Sequence, residues 1–417
     1  MNMLFRAGLL AVCAAILVPS EVKAAFADRP SGIKIGQRMT LRPYVSFSAT
    51  YDSNPRSRHD DADGDVFWTV SPTLGLSYDA ETWSLLLNAY YNYHAYTKSE
   101  NSDQNRHSYG EDLRWNWSNS TGAEKGWTLV LAESFQQMTM SDEMSLGGAR
   151  GYTADSRQLQ ASAALQRRFT EHLHADINAS YYWLDYMNDT SLYNAFYGWQ
   201  RWTAGAEAGY AFSPWTDLII AGGYQRYTQD NVEGSYLASE SQGITVQAGI
   251  GSYMTERISY RALLGWTQFS YADDESSSGG LTYTLSGDWK IGETWNTMIL
   301  ASSYYQPSER QRSSSSRVDS LSWGLAKTLV RGKLRATLDV IYRRETIEYA
   351  DTSNAASADY QLDIVTGRLG LDYTLNRFLS LFVNGEYQWS WNDDSDRRQG
   401  AYDYDRWRVT AGFRLSY

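Results

Sequence analysis

Few residues in this 417-residue sequence are of the types that perform enzymatic chemistry. The five histidines are His59, His94, His107, His172 and His174. A serine nucleophile needs a histidine within hydrogen-bond reach and an acid that orients the histidine. The stretch around residues 94–108 combines these types, with Ser99, Glu100, Asp103 and Ser108 near His94 and His107. Such residues are common in any polar loop, so we expect no enzyme.

The remaining histidines are a weak metal signal. His172 and His174 stand two positions apart with no cysteine or third histidine beside them. A structural or catalytic zinc site needs three or four protein ligands. We therefore expect no metal site and no other cofactor.

Charged residues that recur with a period of two are a stronger signal. In residues 332–345, Leu334, Ala336, Leu338, Val340 and Tyr342 alternate with Arg335, Thr337, Asp339 and Arg343. Successive side chains of a β-strand point to opposite faces. A cationic side chain at the midplane of a bilayer costs about 2–4 kcal/mol. If one face of this strand meets lipid, the charged set must face a wet interior.

The same test on the neighbouring strands predicts pore-lining residues of both signs. They are Arg335, Asp339, Arg343, Arg368, Asp372, Glu386, Arg408 and Arg414. The arginines would form a basic strip that attracts an anionic solute. In the alternative, they pair with Asp339, Asp372 and Glu386 and only brace the wall.

Two further groups could bind a ligand. Tyr90, Tyr182 and Tyr304 are predicted to face the interior, where their rings would stack on sugars or else form a girdle or core ring. The acidic runs at 60–65 and 392–396 offer hard oxygen ligands for calcium. Neither run has EF-hand spacing, so a solvated external face is the simpler interpretation.

The end of the chain indicates which element positions these residues. From Arg408 to Tyr417, apolar and polar residues alternate strictly, and the chain stops on an aromatic residue. This pattern is typical of the last strand of an outer-membrane β-barrel, which has lipid on one face and water on the other.

Similar segments recur along the chain, from 39–51 to 402–417, and we count about eighteen. Tight polar turns alternate with longer hydrophilic loops, among them 52–64 and 271–279. Short periplasmic turns and longer extracellular loops are the asymmetry of such barrels. We predict an all-β fold: a single transmembrane antiparallel up-and-down β-barrel, with residues 39–417 as one domain.

Composition agrees with this fold class. The sequence has 16 Trp and 32 Tyr, residues that prefer membrane interfaces, while the mean hydropathy is negative at -0.51. Beyond the N-terminus no apolar run is long enough for a membrane-spanning helix. The formal net charge of -11 disfavours binding to nucleic acid.

The N-terminus indicates export from the cytoplasm. Residues 1–24 are predicted to be a signal peptide, with Arg6 before an apolar core and a small-residue cleavage site at Val22-Lys23-Ala24. Cleavage after Ala27 is the alternative. The single cysteine, Cys13, lies inside the apolar core and is interpreted as filler. Residues 25–38 are predicted to be a short periplasmic segment, and the location to be the bacterial outer membrane.

Short stretches in the N-terminal part carry a family resemblance. They are Leu41-Arg42-Pro43-Tyr44, Tyr51-Asp52-Ser53-Asn54, Asp65 to Val70, and Pro72. With these residues the chain resembles the "putative β-barrel porin" family that accompanies exopolysaccharide and exosortase loci in Gram-negative bacteria. The resemblance implies a pore that assists the passage or secretion of a polysaccharide.

Three functions therefore stand as hypotheses. The first is a passive channel for a polysaccharide or another hydrophilic, anionic solute, and the second is a general or substrate-specific diffusion porin. The third is a structural or adhesive barrel with a closed lumen. The expected partners are outer-membrane lipid and lipopolysaccharide, together with the solute, and either further copies of the chain or a periplasmic export partner.

Overall fold

The computed structural model describes most of the chain outside the N-terminus and the long connections. The described residues are 32–55, 63–98, 106–119, 126–141, 153–186, 198–229, 240–255, 257–271, 274–307, 314–330, 332–349, 360–392 and 404–417. The predicted signal peptide, Cys13, His59 and the acidic runs therefore lie wholly or largely outside them. Over the described ranges, no helix is long and apolar enough to cross a lipid bilayer.

The described residues form strands that hydrogen-bond in chain order. Their bounds are β1 Ile33–Ile35, β2 Met39–Asp52, β3 Asp65–Asp79, β4 Trp83–Tyr96, β5 Arg106–Ser118, β6 Trp127–Ser141, β7 Thr153–Arg168, β8 Leu173–Tyr186, β9 Trp199–Ser213, β10 Thr216–Gln229, β11 Glu240–Thr255, β12 Ile258–Tyr271, β13 Asp274–Ile291, β14 Trp295–Pro307, β15 Ser314–Val330, β16 Leu334–Tyr349, β17 Tyr360–Asn376, β18 Leu379–Asn392 and β19 Tyr404–Ser416. Each strand from β2 to β19 is antiparallel to its neighbours. The prediction of an eighteen-strand antiparallel barrel is confirmed.

The barrel closes where the last strand pairs with the first long strand. β19 pairs with β2 from Arg408 opposite Asp52 to Ser416 opposite Tyr44. Beyond the end of β19, the short strand β1 takes over the same edge of β2, with Ile35 opposite Met39. Closure leaves no long unpaired edge, which a barrel in lipid requires.

Two details differ from the sequence prediction. Ile33–Ile35 lies in the segment predicted to precede the barrel, and three residues are too few to show a period. β13 begins at Asp274, inside the predicted loop 271–279, because its polar residues continue the hydrogen bonding to β12. Composition alone predicts a loop there, since Ser276–Gly280 carries no apolar alternation.

The two faces of the barrel differ in polarity. Large apolar side chains stay exposed on one face, for example Ile220, Ile244 and Leu264, which are 66%, 61% and 57% exposed. The other face carries most of the charged residues. There Arg261 of β12 bonds to Glu207 of β9, across the two intervening strands. Such a chord is possible only on the concave side, so the polar face is the inner wall.

The barrel has a turn end and a loop end. Short connections such as 292–294 and 377–378 join strands at the turn end, where both β2 begins and β19 ends. In the first of these turns Gly292 has a φ of 66°, a conformation that favours glycine. Eighteen strands about 4.8 Å apart and tilted by about 40° give a diameter of roughly 35 Å. Wall side chains alone cannot fill such a lumen.

Candidate functional site: the inner wall

Register brings charged residues of five neighbouring strands into one row across the inner wall. Asp339 is opposite Arg368, Arg368 opposite Glu386, Glu386 opposite Arg408, and Arg408 opposite Asp52. We call these five residues the charge row. Opposite charges that face each other on adjacent strands attract. The row therefore stabilises the pairing between neighbouring strands from β16 through β19 to β2.

Most of the charge row is joined by direct ion pairs. Arg368 Nε donates to Glu386 Oε2 over 2.7 Å, and Arg408 Nη1 reaches Glu386 Oε1 at 3.5 Å. Arg408 Nε also donates to Asp52 Oδ2 over 3.0 Å. One glutamate and one aspartate thus link four strands, β17, β18, β19 and β2, at this height.

Asp52 is the end of this chain of ion pairs and has a second cationic partner. Arg406 Nε donates to Asp52 Oδ1 over 2.8 Å, and a further bond joins the same two side chains. Asp52 is fully buried and Arg406 is 3% exposed. The backbone N–H of Asn54 also donates to Asp52 over 3.1 Å. The closing seam is therefore fastened at its loop end by a buried carboxylate.

Three of the predicted pore-lining arginines are thus paired, and the partners differ in part from the prediction. Glu386 is a partner as predicted, whereas Arg343 pairs with Glu345 over 2.8 Å, and Arg408 with Asp52. Neither Asp52 nor Glu345 was singled out as a site residue, although each has inward parity in the sequence. Asp339 and Asp372 form no ion pair within 4 Å in the described part of the chain.

Arg335 and Arg414, unlike the three paired arginines, have no carboxylate partner among the described residues. Both side chains are exposed on the inner wall near the turn end. No described carboxylate lies within 4 Å of either guanidinium, although Asp372 is opposite Arg335 in register. Arg414 lies near two aromatic rings, with Cζ 5.8 Å from the centroid of Phe382 and 6.0 Å from that of Tyr44. These two arginines present unpaired positive charge to the lumen.

Burial of the inner wall changes along the barrel axis. Near the loop end Tyr182, Trp199 and Tyr227 form a buried aromatic cluster, with ring centroids 4.5 and 5.1 Å apart in sequence order. Near the turn end the inward-facing Met298 is 50% exposed, and Arg335 and Arg414 are exposed as well. The lumen is therefore open to solvent at the turn end, and its wall is packed at the loop end.

The predicted lumen tyrosines are not equivalent. Tyr182 is 3% exposed, so its ring belongs to the buried cluster and offers no free stacking surface. Tyr90 and Tyr304 are half-buried on the inner wall. Of the two alternatives for Tyr182, a core ring fits its surroundings.

Among the described residues of the serine and histidine grouping, Ser108 and His107 do not form a catalytic pair. Ser108 and His107 are successive residues of β5 and point to opposite faces. Ser108 accepts a hydrogen bond from Asn92 over 3.1 Å, while His107 Nδ1 bonds to the hydroxyl of Tyr91. His94 bonds to Thr69 at 2.8 Å. Ser99, Glu100 and Asp103 lie outside the described residues.

Metal ligands are equally dispersed. Within the described ranges, no three His, Cys, Asp or Glu side chains lie close enough to hold one metal ion. His172 lies in the turn before β8, and His174 lies on that strand.

A comparison with protein families agrees with the architecture described above, a closed barrel with an apolar outer face and a charged inner wall. A family model described as "putative beta-barrel porin 2" matches residues 27–417. The chain belongs to this porin family. The match covers nearly the whole chain and includes every strand described above. No curated protein matches the chain.

Solved structures with a similar fold are outer-membrane barrels. The FrpB iron transporter from Neisseria meningitidis is 10% identical, with 92% of this chain and 82% of that chain covered and a TM-score of 0.50. The outer membrane protein OpdK from Pseudomonas aeruginosa is 13% identical, with 90% and 99% covered and a TM-score of 0.43. At such identities the likeness shows the fold alone.

Proposed function

We propose that this porin-family barrel forms a passive, non-enzymatic channel in the outer membrane that passes hydrophilic solutes and prefers anions. The observation that carries the proposal is the pair of exposed, unpaired arginines, Arg335 and Arg414, in the open turn end of the lumen. Charges that line a channel with low-dielectric walls raise the local concentration of the opposite ion. Paired arginines of the same wall contribute little to this field, because their carboxylates neutralise them.

The outer surface supports the membrane part of the proposal. Exposed tyrosine and tryptophan side chains mark both ends of the apolar face on β19 and β2, with Tyr51 and Trp407 at the loop end and Tyr417 at the turn end. Aromatic girdles at both interfaces are typical of outer-membrane barrels. In this orientation the loop end faces outward, and lipid with lipopolysaccharide covers the apolar face.

An acidic polysaccharide is the solute class that the surroundings of Arg414 favour within this proposal. Its sugar units carry a carboxylate and an apolar ring face. Arg414, with Phe382 and Tyr44 on either side, offers a cation and two aromatic rings. Such rings contact a flat, partly apolar partner well. The family resemblance points to the same solute class.

The test is the reversal potential of purified channels in planar bilayers under a potassium chloride gradient. We expect the wild-type protein to prefer chloride and the variant Arg335→Glu/Arg414→Glu to prefer potassium. The matched control, Arg157→Glu/Arg377→Glu, makes the same charge change outside the lumen and should keep the wild-type sign. A wild-type preference for potassium would overturn the anion proposal, and absence of conductance would favour a closed structural barrel.

The solute class is tested on the same channels. An acidic polysaccharide such as alginate should block the chloride current from the turn end, and a neutral dextran of equal size should not. The Arg414→Gln variant should lose most of this block. Equal block by both polymers, or by neither, would favour a diffusion porin for small solutes.

A further inference from the structure

A pair of arginines on the outer face lies just beyond the apolar band at the loop end. On β16 the outward positions from Leu334 to Tyr342 are apolar or aromatic, and Arg344 follows them. At about 3.4 Å per residue and a tilt of about 40°, that run spans roughly 21 Å along the axis, close to the height of a membrane-facing band. Arg344 therefore stands where lipid headgroups begin.

Arg344 is held in place by a buried carboxylate. Its Nε donates to Asp363 Oδ1 over 2.9 Å. Asp363 is 2% exposed and also accepts hydrogen bonds from the Tyr342 hydroxyl at 2.6 Å and from Gln361 Nε2 at 2.7 Å. The Arg344 side chain itself is 42% exposed. Its Nε edge is thus fixed, and the rest of the guanidinium lies at the surface.

Arg317 on β15 is the second member of the outer arginine pair. Its Nε donates to Ser303 Oγ over 3.2 Å and lies 3.1 Å from Asp319 Oδ2, and its Nη2 donates to Asp319 Oδ1 over 3.3 Å. Asp319 is opposite Arg344 in register, so Arg317 is the diagonal neighbour of Arg344. Diagonal neighbours lie about 7–8 Å apart, within reach of one tetrahedral anion between two long side chains.

A third outer arginine near the same height, Arg226, shows what sets Arg344 apart. Arg226 on β10 follows Tyr224 as Arg344 follows Tyr342. Both its Nε and its Nη2 are bound by the carboxylate of Glu240, at 2.8 and 2.9 Å. Glu240 is at the surface beside it, whereas the carboxylate that holds Arg344 is buried. Arg226 is therefore already neutralised at the point where a lipid would meet it. Arg317 is bound by Asp319 in the same two-point manner, so Arg344 is the member of the pair whose outer edge is free.

We propose that Arg317 and Arg344 bind a phosphate group of lipopolysaccharide in the outer leaflet. The inference rests on the proposed function, which places the loop end of the barrel outward. Arginine forks bind phosphate with two parallel hydrogen bonds, and Arg344 offers its outer edge at headgroup height, with Arg317 as a second cation on the neighbouring strand. Lipopolysaccharide is the phosphate carrier of this leaflet, and its acyl chains would lie on the apolar band beneath Tyr342.

The experiment measures lipid binding to the folded, delipidated barrel in detergent by native mass spectrometry. The probes are lipid A with both phosphates, lipid A without phosphates, and phosphatidylglycerol. We expect Arg317→Gln/Arg344→Gln to weaken binding of phosphorylated lipid A by about tenfold or more, which corresponds to the loss of a bidentate contact. Binding of the phosphate-free lipid should not change, and phosphatidylglycerol should bind more weakly than phosphorylated lipid A.

The matched control is Arg226→Gln, which removes one arginine at the same height and should alter binding by less than about twofold. Equal loss in this control, or unchanged binding in the double variant, would overturn the site, and equal binding of phosphatidylglycerol would overturn its assignment to lipopolysaccharide. Heat-modifiable migration in gels verifies folding. If the double variant does not fold, Arg317→Lys/Arg344→Lys replaces it, with a smaller loss expected because lysine lacks the fork.

Conductance separates this inference from the proposed function. A barrel that conducts but does not distinguish the two forms of lipid A would contradict only the lipid site. A barrel that binds phosphorylated lipid A through the arginine pair but does not conduct would contradict only the channel.

Discussion

Arg406 and Arg414 lie on the same strand and face the same lumen, yet they are in opposite physical states. Arg406, near the loop end of β19, is 3% exposed and is bound twice by the buried Asp52. Arg414, near the turn end, is exposed and has aromatic rings but no carboxylate beside it. Eight residues along one strand separate an arginine that holds the barrel together from one that acts on the lumen.

The difference shows that register, and not residue type, assigns the role of a charge in the wall. A buried charge whose partner is removed is strongly destabilising, so Arg406 needs Asp52. An exposed charge in a water-filled lumen needs no partner and keeps its field. Arg261 shows that height alone does not decide, because it lies toward the turn end and is paired with Glu207. The following variants test this division, from the largest expected effect to the smallest.

The largest effect is expected from Asp52→Asn. The change leaves Arg406 buried beside a neutral amide and removes one partner of Arg408. Breaking a buried ion pair costs about 3–5 kcal/mol, and we expect the free energy of unfolding to fall by about that amount. The measurement is a urea titration of the barrel in lipid vesicles, followed by tryptophan fluorescence.

Asp405→Asn is the matched control for this variant. Asp405 is the neighbour of Arg406 on the same strand, but it is exposed on the outer face. We expect its free energy of unfolding to change by about 0.5 kcal/mol or less. Equal effects of the two variants would mean that the closing seam does not depend on the buried ion pair.

Glu386→Gln should lower the free energy of unfolding by an intermediate amount. It should also leave the charge row with an arginine that lacks a carboxylate partner, as Arg414 does. Glu386 joins Arg368 and Arg408, and all three side chains are partly exposed, at 23–29%. Solvent screening reduces the loss, and we expect about 1 kcal/mol from the free energy of unfolding. At the same time Arg368 loses the Glu386 carboxylate, while Arg408 keeps Asp52, and the wall gains one net positive charge, so the reversal potential should shift further toward chloride.

Asn384→Asp tests the opposite charge change on the same strand. Asn384 faces the lumen two residues from Glu386 and is exposed. An added carboxylate there should shift the reversal potential toward potassium without a loss of stability. If the reversal potential shifted in the same direction in Glu386→Gln and Asn384→Asp, the role given to the lumen charges would be contradicted.

Parity along the strands predicted the faces of the barrel, and the reason is physical. Lipid tolerates only one face of a strand, so the alternation of Leu334 to Tyr342 with Arg335 to Arg343 indicates an outer and an inner set. The register of the structure keeps these sets on opposite faces. Strand number followed in the same way, because each tight turn interrupts the period.

Partners across the wall could not be predicted in the same way. Which residue stands opposite Arg408 depends on the shear of the closed barrel, and a period of two does not contain that quantity. Glu386 was one of three predicted partners, with Asp339 and Asp372, and it lies on the strand next to Arg408 in the chain. Asp52 was not, because it is brought to Arg408 only when the last strand meets the first. The inward parity of Asp52 at the end of β2 was the available signal.

The smallest effect on stability is expected from Arg414→Gln. Its guanidinium is exposed and forms no ion pair, so the free energy of unfolding should change by about 0.5 kcal/mol or less in the same urea titration. Its loss removes one of the two exposed, unpaired arginines described at the turn end, so the chloride preference should fall toward neutral. A loss of stability comparable to that of Asp52→Asn would show that Arg414 is structural after all. In that case the two ends of β19 would not differ in role, and the anion preference would have to come from Arg335.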